Sequence, residues 1–161
     1  MHALQSQPAE EPDSKVLIVN IGDHYFGALI DNIEDVIPRS PTTPVPLAPA
    51  NIVGLLNLRG HIVTEIDVAR TLDIEAEVSM DKAQGYSIVV NKDAEMYSLV
   101  FDGVGDVVDI PAQKIEKLPD TIHKSWCRVS RGVYRYGEKL IVLLDFDLLI
   151  DHLSPQEKEV V

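Results

Sequence analysis

A single cysteine, Cys127, stands in this chain of 161 residues. It excludes an intramolecular disulfide and a thiolate metal cage. Its position beside Trp126 marks it as a buried structural thiol rather than a reactive one. Aromatic residues are scarce too, at 6%, so valine, isoleucine and leucine must build the core, which favours strands over helices. Basic residues are outnumbered, 14 Lys and Arg against 26 Asp and Glu, for a formal net charge of −12. That balance argues against nucleic acid as a partner, because phosphate binding needs clustered Lys and Arg. It argues equally against an anionic membrane surface. No apolar run reaches the ~20 residues of a membrane span, and the N-terminus has no signal-like apolar stretch. A soluble cytoplasmic protein without direct membrane insertion is the simplest expectation.

The marks of catalysis and of cofactors are missing as well. The histidines, His2, His24, His61, His123 and His152, have no second His, Cys or spaced carboxylate set around them, so they read as turn or edge residues rather than metal ligands. Neither a nucleophile elbow nor a triad-like signature occurs. Gly103 and Gly105 form a lone G-x-G with no third glycine and no helix behind it, and no EF-hand loop is present. Arg128, Arg131, Arg135 and Lys139 make a modest basic stretch that suits a charged strand edge better than a nucleic-acid surface. The one dense carboxylate group is Asp102, Asp106 and Asp109. It supports an alternative reading, a carboxylate-based hydrolase, although Asp102-Gly103 is an ordinary turn pair.

What the chain does contain is a succession of short apolar runs rich in β-branched residues. They lie at Val16–Ile21, Tyr25–Ile30, Ile33–Ile37, Ile62–Ile66, Tyr86–Val90, Met96–Phe101, Val104–Ile110, Val129–Tyr134 and Lys139–Leu144. Runs of this length, punctuated this often, indicate an all-β sandwich or barrel. Short helices are expected over Asp67–Leu72 and Asp145–Leu153, each opened by an aspartate able to cap it. The prolines of Pro38–Pro49 predict an extended, poorly hydrogen-bonded connection. Residues 1–14 and 154–161 read as disordered tails around a domain at 15–153.

The domain repeats itself. A shift of 71 lays Leu17-Ile18-Val19-Asn20 on Ile88-Val89-Val90-Asn91, and Asp31, Ile33, Asp35, Val36 and Ile37 on Asp102, Val104, Asp106, Val107 and Val108. A shift of 78 lays Gly54 on Gly132 and Ile66-Asp67 on Leu144-Asp145. Two related β units follow, in halves of about 15–72 and 86–153, whose strands could still be exchanged in space. The recurrence also explains the aspartates of 102–109 without chemistry.

One stretch is richer in information than the rest: Asn51-Ile52-Val53-Gly54-Leu55-Leu56-Asn57-Leu58-Arg59-Gly60-His61-Ile62-Val63. It resembles the central motif of the CheW-like chemotaxis coupling family. Tyr25-Phe26-Gly27, Ile33-Glu34-Asp35-Val36, Ile66-Asp67-Val68, Phe101–Val107 and Leu140–Asp145 are similar to further family segments in the same order. The resemblance covers roughly Lys15 to His152. It implies two small five-stranded SH3-like β-barrels that share a hydrophobic seam, and a non-enzymatic adaptor without cofactor. It also implies two partners, the regulatory domain of a CheA-like histidine kinase and the cytoplasmic tip helices of chemoreceptors, in arrays at the inner membrane. By resemblance the receptor-facing groove holds Ile33, Asp35, Asn57, Arg59, Val104 and Val107. A candidate kinase-facing surface holds Gly54, Leu58, Ile62 and Glu65. Arg59 at its turn either pairs with Asp35, flanked by Ile33 and Val107, or only holds the turn. Two departures stand out: Asp35 where the family commonly has Glu, and Thr64-Glu65 where it usually has proline and an apolar residue. The second leaves open a paralogue serving a non-flagellar pathway such as surface motility or biofilm control.

Overall fold

A computed structural model describes residues 13–74 and 85–160 of the chain. The tail expected over the first residues lies, up to residue 12, outside the described residues. Ten strands are formed: β1 Ser14–Ile21, β2 His24–Leu29, β3 Ile33–Pro38, β4 Ile52–Leu58, β5 His61–Ile66, β6 Tyr86–Lys92, β7 Glu95–Phe101, β8 Gly103–Ile110, β9 Ser130–Tyr136 and β10 Lys139–Leu144. Among the described residues three α-helices accompany them: α1 Val68–Thr71, α2 Lys124–Cys127 and α3 Phe146–Val160. The strands make two five-stranded sheets, ordered β8-β1-β2-β10-β9 and β3-β6-β7-β5-β4. We call these unit A and unit B.

The units are topological copies built by exchange. Replacing β1, β2, β8, β9 and β10 by β6, β7, β3, β4 and β5 turns one strand order into the other. Each half of the chain therefore gives two strands to one sheet and three to the other. The connections impose this. In unit A, β2 and β8 flank β1 and both run antiparallel to it, so they are parallel to each other. If β3 took the place of β8, a parallel crossover would be needed, and such connections require a dozen or more residues. Only the 3-10 turn Ile30–Asn32 separates β2 from β3, so β3 passes to the other sheet.

Register carries the correspondence to single residues. Leu143 lies opposite Gly27 in unit A, and Glu65 opposite Ser98 in unit B. The bulge of β4 against β5 between Ile52 and Gly54 is matched between the β10 residues Leu143 and Leu144, which face Gly132 and Ser130. Each unit is also tied edge to edge. Beyond β3, Thr43 bridges to Leu55 of β4, and beyond β8, Glu116 bridges to Val133 of β9. The proline-rich connection is extended only in part: it turns at Pro46-Leu47, where the Ala48 N–H donates to the Val45 carbonyl at 3.3 Å, and Thr43 gains a bridge. Thr43 and Leu55 exchange N–H···O bonds of 2.8 Å in both directions.

Both faces of unit A are dry. Leu17, Val19 and Phe26 face unit B and join Ile66, Ile88, Leu99 and Phe101 in a core that spans the two sheets. Val16, Ile18, Ile110, Ile141 and Leu143 form a second cluster on the opposite face. Complete burial of each such side chain contributes about 1.5–3 kcal/mol. The main core is capped by α1 and by Phe146, Leu149, Ile150 and Leu153 of α3. Asp67 and Asp145 serve as the expected N-terminal caps, accepting from the Arg70 and Leu148 N–H groups.

Two expectations are corrected. The closing helix does not stop at Leu153 but runs to Val160. Extending a formed helix costs far less than nucleating one, and Gln156-Glu157-Lys158-Glu159 are good helix formers. Cys127 is exposed rather than buried, because α2 turns Trp126 against the core and the next residue outward. Trp126 packs edge-on to Phe26 at 5.1 Å between centroids, and its Nε1–H donates to the Leu72 carbonyl at 2.8 Å. Titration of the native protein with a thiol-reactive chromophore should therefore label Cys127 fully without denaturant. Labelling only after unfolding would restore the buried assignment.

Candidate functional site

The β4–β5 hairpin turns on Arg59-Gly60, with Leu58 opposite His61. Both turn residues have positive φ, 53° for Arg59 and 85° for Gly60, the pattern of the tight turn that matches strand twist. Asn57 steadies it by accepting the Gly60 N–H at 3.0 Å. A left-handed conformation is unfavourable for a side chain with a Cβ, by about 1–2 kcal/mol. In unit A the corresponding hairpin position is Gly137, φ 64°, so the fold accommodates glycine where unit B keeps arginine.

From that turn the Arg59 guanidinium donates to Asp35 Oδ2 at 3.1 Å. The side chain of Arg59 is 74% exposed and that of Asp35 30%. Asp35 is oriented by the Val36 N–H, which donates to its other oxygen at 2.8 Å. So exposed a pair adds only ~0.2–1 kcal/mol to stability. The shorter aspartate reaches its partner because β3 and β4, although at opposite ends of the strand order, meet here. Two links join these edges, Asp35–Arg59 and the Thr43–Leu55 bridge. An ion pair, Arg39 to Glu65 at 3.4 Å, ties the end of β3 to β5.

The other expected groove residues are distributed differently. Ile33 on β3 and Val104 on β8 are half-buried against the shared core. Val107 is 54% exposed on β8, the edge strand of unit A, and no strand pairing brings it to β3. Of the candidate kinase-facing residues, Ile62 is 62% exposed and Leu58 half-buried. It lines a depression of about 320 Å³ with His61, Thr64 and Met96. The equivalent depression of unit A, over His24, Tyr25, Leu140 and Val142, has Ile122 and Trp126 on its wall.

Gly54 and Glu65 are not surface residues. Gly54 is buried under the closing strand, and a Cβ there would lie 2.5 Å from the Thr43 carbonyl oxygen. Gly54→Ala should therefore loosen the edge and lower the unfolding free energy by about 1–3 kcal/mol, measured by urea denaturation; an unchanged midpoint would refute the close approach. Glu65 is 0% exposed. Its carboxylate accepts from Arg39, Ser87 and Ser98 at 3.3–3.4 Å. Burial pushes the Glu65 carboxyl above its ordinary range, and the Arg39 charge opposes this in part. Burial also raises Asp67, against the donated Arg70 N–H. Strand alternation puts Glu65 on one face and Thr64 on the other, and it is the Glu65 face that closes over at this point, while Thr64 is half-buried.

The carboxylates of 102–109 do not converge. Asp102 accepts the Gly22 N–H at 2.7 Å, and Asp109 pairs with Lys15 at 3.1 Å. Extended backbone separates Asp102 from Asp109 by ~23 Å at about 3.3 Å per residue, far beyond the spacing of a glycosidase pair. No group of three or more His, Cys, Asp or Glu fit to hold a metal occurs among the described residues. The hydrolase alternative is set aside.

Comparison with known proteins agrees with this architecture. A model of the CheW-like domain matches residues 15–154. The chain belongs to the CheW-like family. It is 32% identical over 145 residues to the chemotaxis protein CheW of Thermotoga maritima, covering 89% of this chain and 91% of that protein. It is 29% identical over 152 residues to CheW of Klebsiella aerogenes, covering 94% and 89%. In fold it is similar to the scaffolding protein TtCheW of Thermoanaerobacter tengcongensis, with a TM-score of 0.76, 22% identity and coverage of 88% and 90%. Membership of the CheW-like family sets this chain apart from enzymes and beside relatives named chemotaxis proteins. It gives no support to a separate role in surface motility or biofilm control. Among the described residues no helix is long and apolar enough to cross a membrane.

Proposed function

We propose that the chain couples chemoreceptors to a CheA-like histidine kinase, as a cytoplasmic adaptor associated with receptor arrays at the inner membrane. The receptor's cytoplasmic tip helices would dock on the β3–β4 edge, on Asp35 and Arg59 with Ile33 beside them. The kinase regulatory domain would take the open depression at Ile62. One observation carries the reading: an exposed arginine occupies a left-handed turn position that the sister hairpin fills with Gly137, and it reaches across two sheet edges to Asp35. Strain at a non-glycine residue that stability does not require points to binding. Apolar contact at Ile33 and Ile62 with a polar rim suits modest interfaces strengthened by multivalency in an array.

The test is quantitative binding of a receptor cytoplasmic fragment and of the kinase regulatory domain to separate sensors. Arg59→Ala should weaken the receptor fragment about tenfold or more, equivalent to ~1.4 kcal/mol, and leave the kinase domain within about twofold. Ile62→Asp should do the reverse. Exchanging the charges, Asp35→Arg with Arg59→Asp, should recover part of the receptor binding lost in either single variant. Unchanged receptor binding in Arg59→Ala would remove the docking role of this edge.

A further inference from the structure

The two units solve the same closure with opposite chemistry. At the shift of 71, Arg39 corresponds to Ile110, Ser87 to Val16 and Ser98 to Gly27; at the shift of 78, Glu65 corresponds to Leu143. The unit A set is an apolar cluster packed so closely that a Cβ on Gly27 would lie 2.5 Å from Val16 and 2.8 Å from Leu143. The unit B set is an ion pair with two hydroxyls, all buried. Its bonds to Glu65 span 3.3–3.4 Å, longer than the ~2.7–2.9 Å usual between charged partners. One chain thus shows that this scaffold closes without charges, and that its second copy closes with them. Removing both charges from water is expensive, and apolar replacement of a buried pair is often neutral or stabilising. Arg39 follows the last residue of β3, and Glu65 lies opposite Gly54 of β4, whose neighbour Leu55 bridges to Thr43.

We propose that Arg39 and Glu65, with Ser87 and Ser98, form a releasable clasp that makes the β3–β4 edge of unit B the weak joint of the fold, opening before the matching edge of unit A. Arg39 and Glu65 are then positioning residues: while the clasp holds, Asp35 meets Arg59, and when it opens, the pair comes apart. What the opening serves rests on the docking reading above, since a partner that prefers the closed edge would draw the protein to it. The opening itself does not depend on that reading.

The fold supplies its own control. Thr43 and Leu55 close unit B through reciprocal N–H···O bonds, and Glu116 and Val133 close unit A in the same way. Amide hydrogen exchange of the full chain, read by NMR without any partner, compares the two joints. Protection factors at Thr43 and Leu55 should be about tenfold or more below those at Glu116 and Val133. The variant Arg39→Ile/Glu65→Leu/Ser87→Val/Ser98→Gly, which copies unit A, should raise them about tenfold and leave Glu116 and Val133 unchanged. Equal protection of the four amides in the wild type would overturn the proposal, whether or not the variant folds. So would a folded variant in which Thr43 and Leu55 are less protected than before. Loss of receptor binding in Arg59→Ala with equal protection would keep the docking reading and sink the clasp; the opposite pair of results would do the reverse.

Discussion

Arg39→Ile is expected to lower the unfolding free energy by about 3–5 kcal/mol at neutral pH. The substitution leaves the Glu65 carboxylate fully buried between Ser87 and Ser98, with hydroxyl donors but without the Arg39 charge. Urea denaturation checks the size. A pH series checks the cause. In the wild type the Glu65 carboxyl is already raised above its ordinary value, burial outweighing the arginine. A carboxyl raised in the folded state binds its proton more tightly there than in the unfolded chain. Its contribution is therefore fully present below the unfolded value and is lost as the pH rises through the folded one. Without Arg39 the folded value climbs further, so the deficit of the variant should shrink as the pH falls and Glu65 takes up a proton. A deficit independent of pH would mean that Arg39 acts through packing alone. Glu65→Leu added to Arg39→Ile should recover most of the loss at neutral pH, because no buried charge is left to neutralise.

Trp126→Ala is the second large effect, expected at about 3–5 kcal/mol by the same measurement. The indole fills the junction between unit A and the end of α1. It meets Phe26 and His24 edge-on at 5.1 and 5.3 Å and binds the Leu72 carbonyl through Nε1 at 2.8 Å. Truncation removes the apolar contacts and leaves that carbonyl without its donor. Trp126→Phe separates the two parts: it should keep most of the packing and lose about 1 kcal/mol for the hydrogen bond. If Trp126→Phe costs as much as Trp126→Ala, the hydrogen bond rather than the ring holds the junction.

The all-β class, the short helices begun by Asp67 and Asp145, and the paired character of the halves were legible because each is written locally. Strand runs, capping residues and turn pairs act over a few positions, and a repeat needs only comparison of the chain with itself. Of the basic stretch, Arg131 and Arg135 lie on β9 at the end of its sheet, whereas Arg128 ends α2 and Lys139 begins the inner strand β10. The Asp35–Arg59 contact was open to expectation only through resemblance, since 24 residues separate its members. Arg39 went unremarked. Its partner is 26 residues away, and the only signal was a glutamate in an apolar strand, which alternation alone assigns to a surface.

By itself, then, the sequence marked nine short strand runs, their pairing in two matching sets, and Arg59 at a turn. Tertiary structure decided how the sets share their strands and which face of each is water-free. The reason for the first is covalent: a three-residue link between β2 and β3 cannot make a parallel crossover, so each half must complete the other's sheet. The reason for the second is geometric. Alternation along a strand fixes only that neighbours such as Thr64 and Glu65 point opposite ways. Packing inside unit B, not alternation, decides that Glu65 is dry while Thr64 borders the open depression at Ile62.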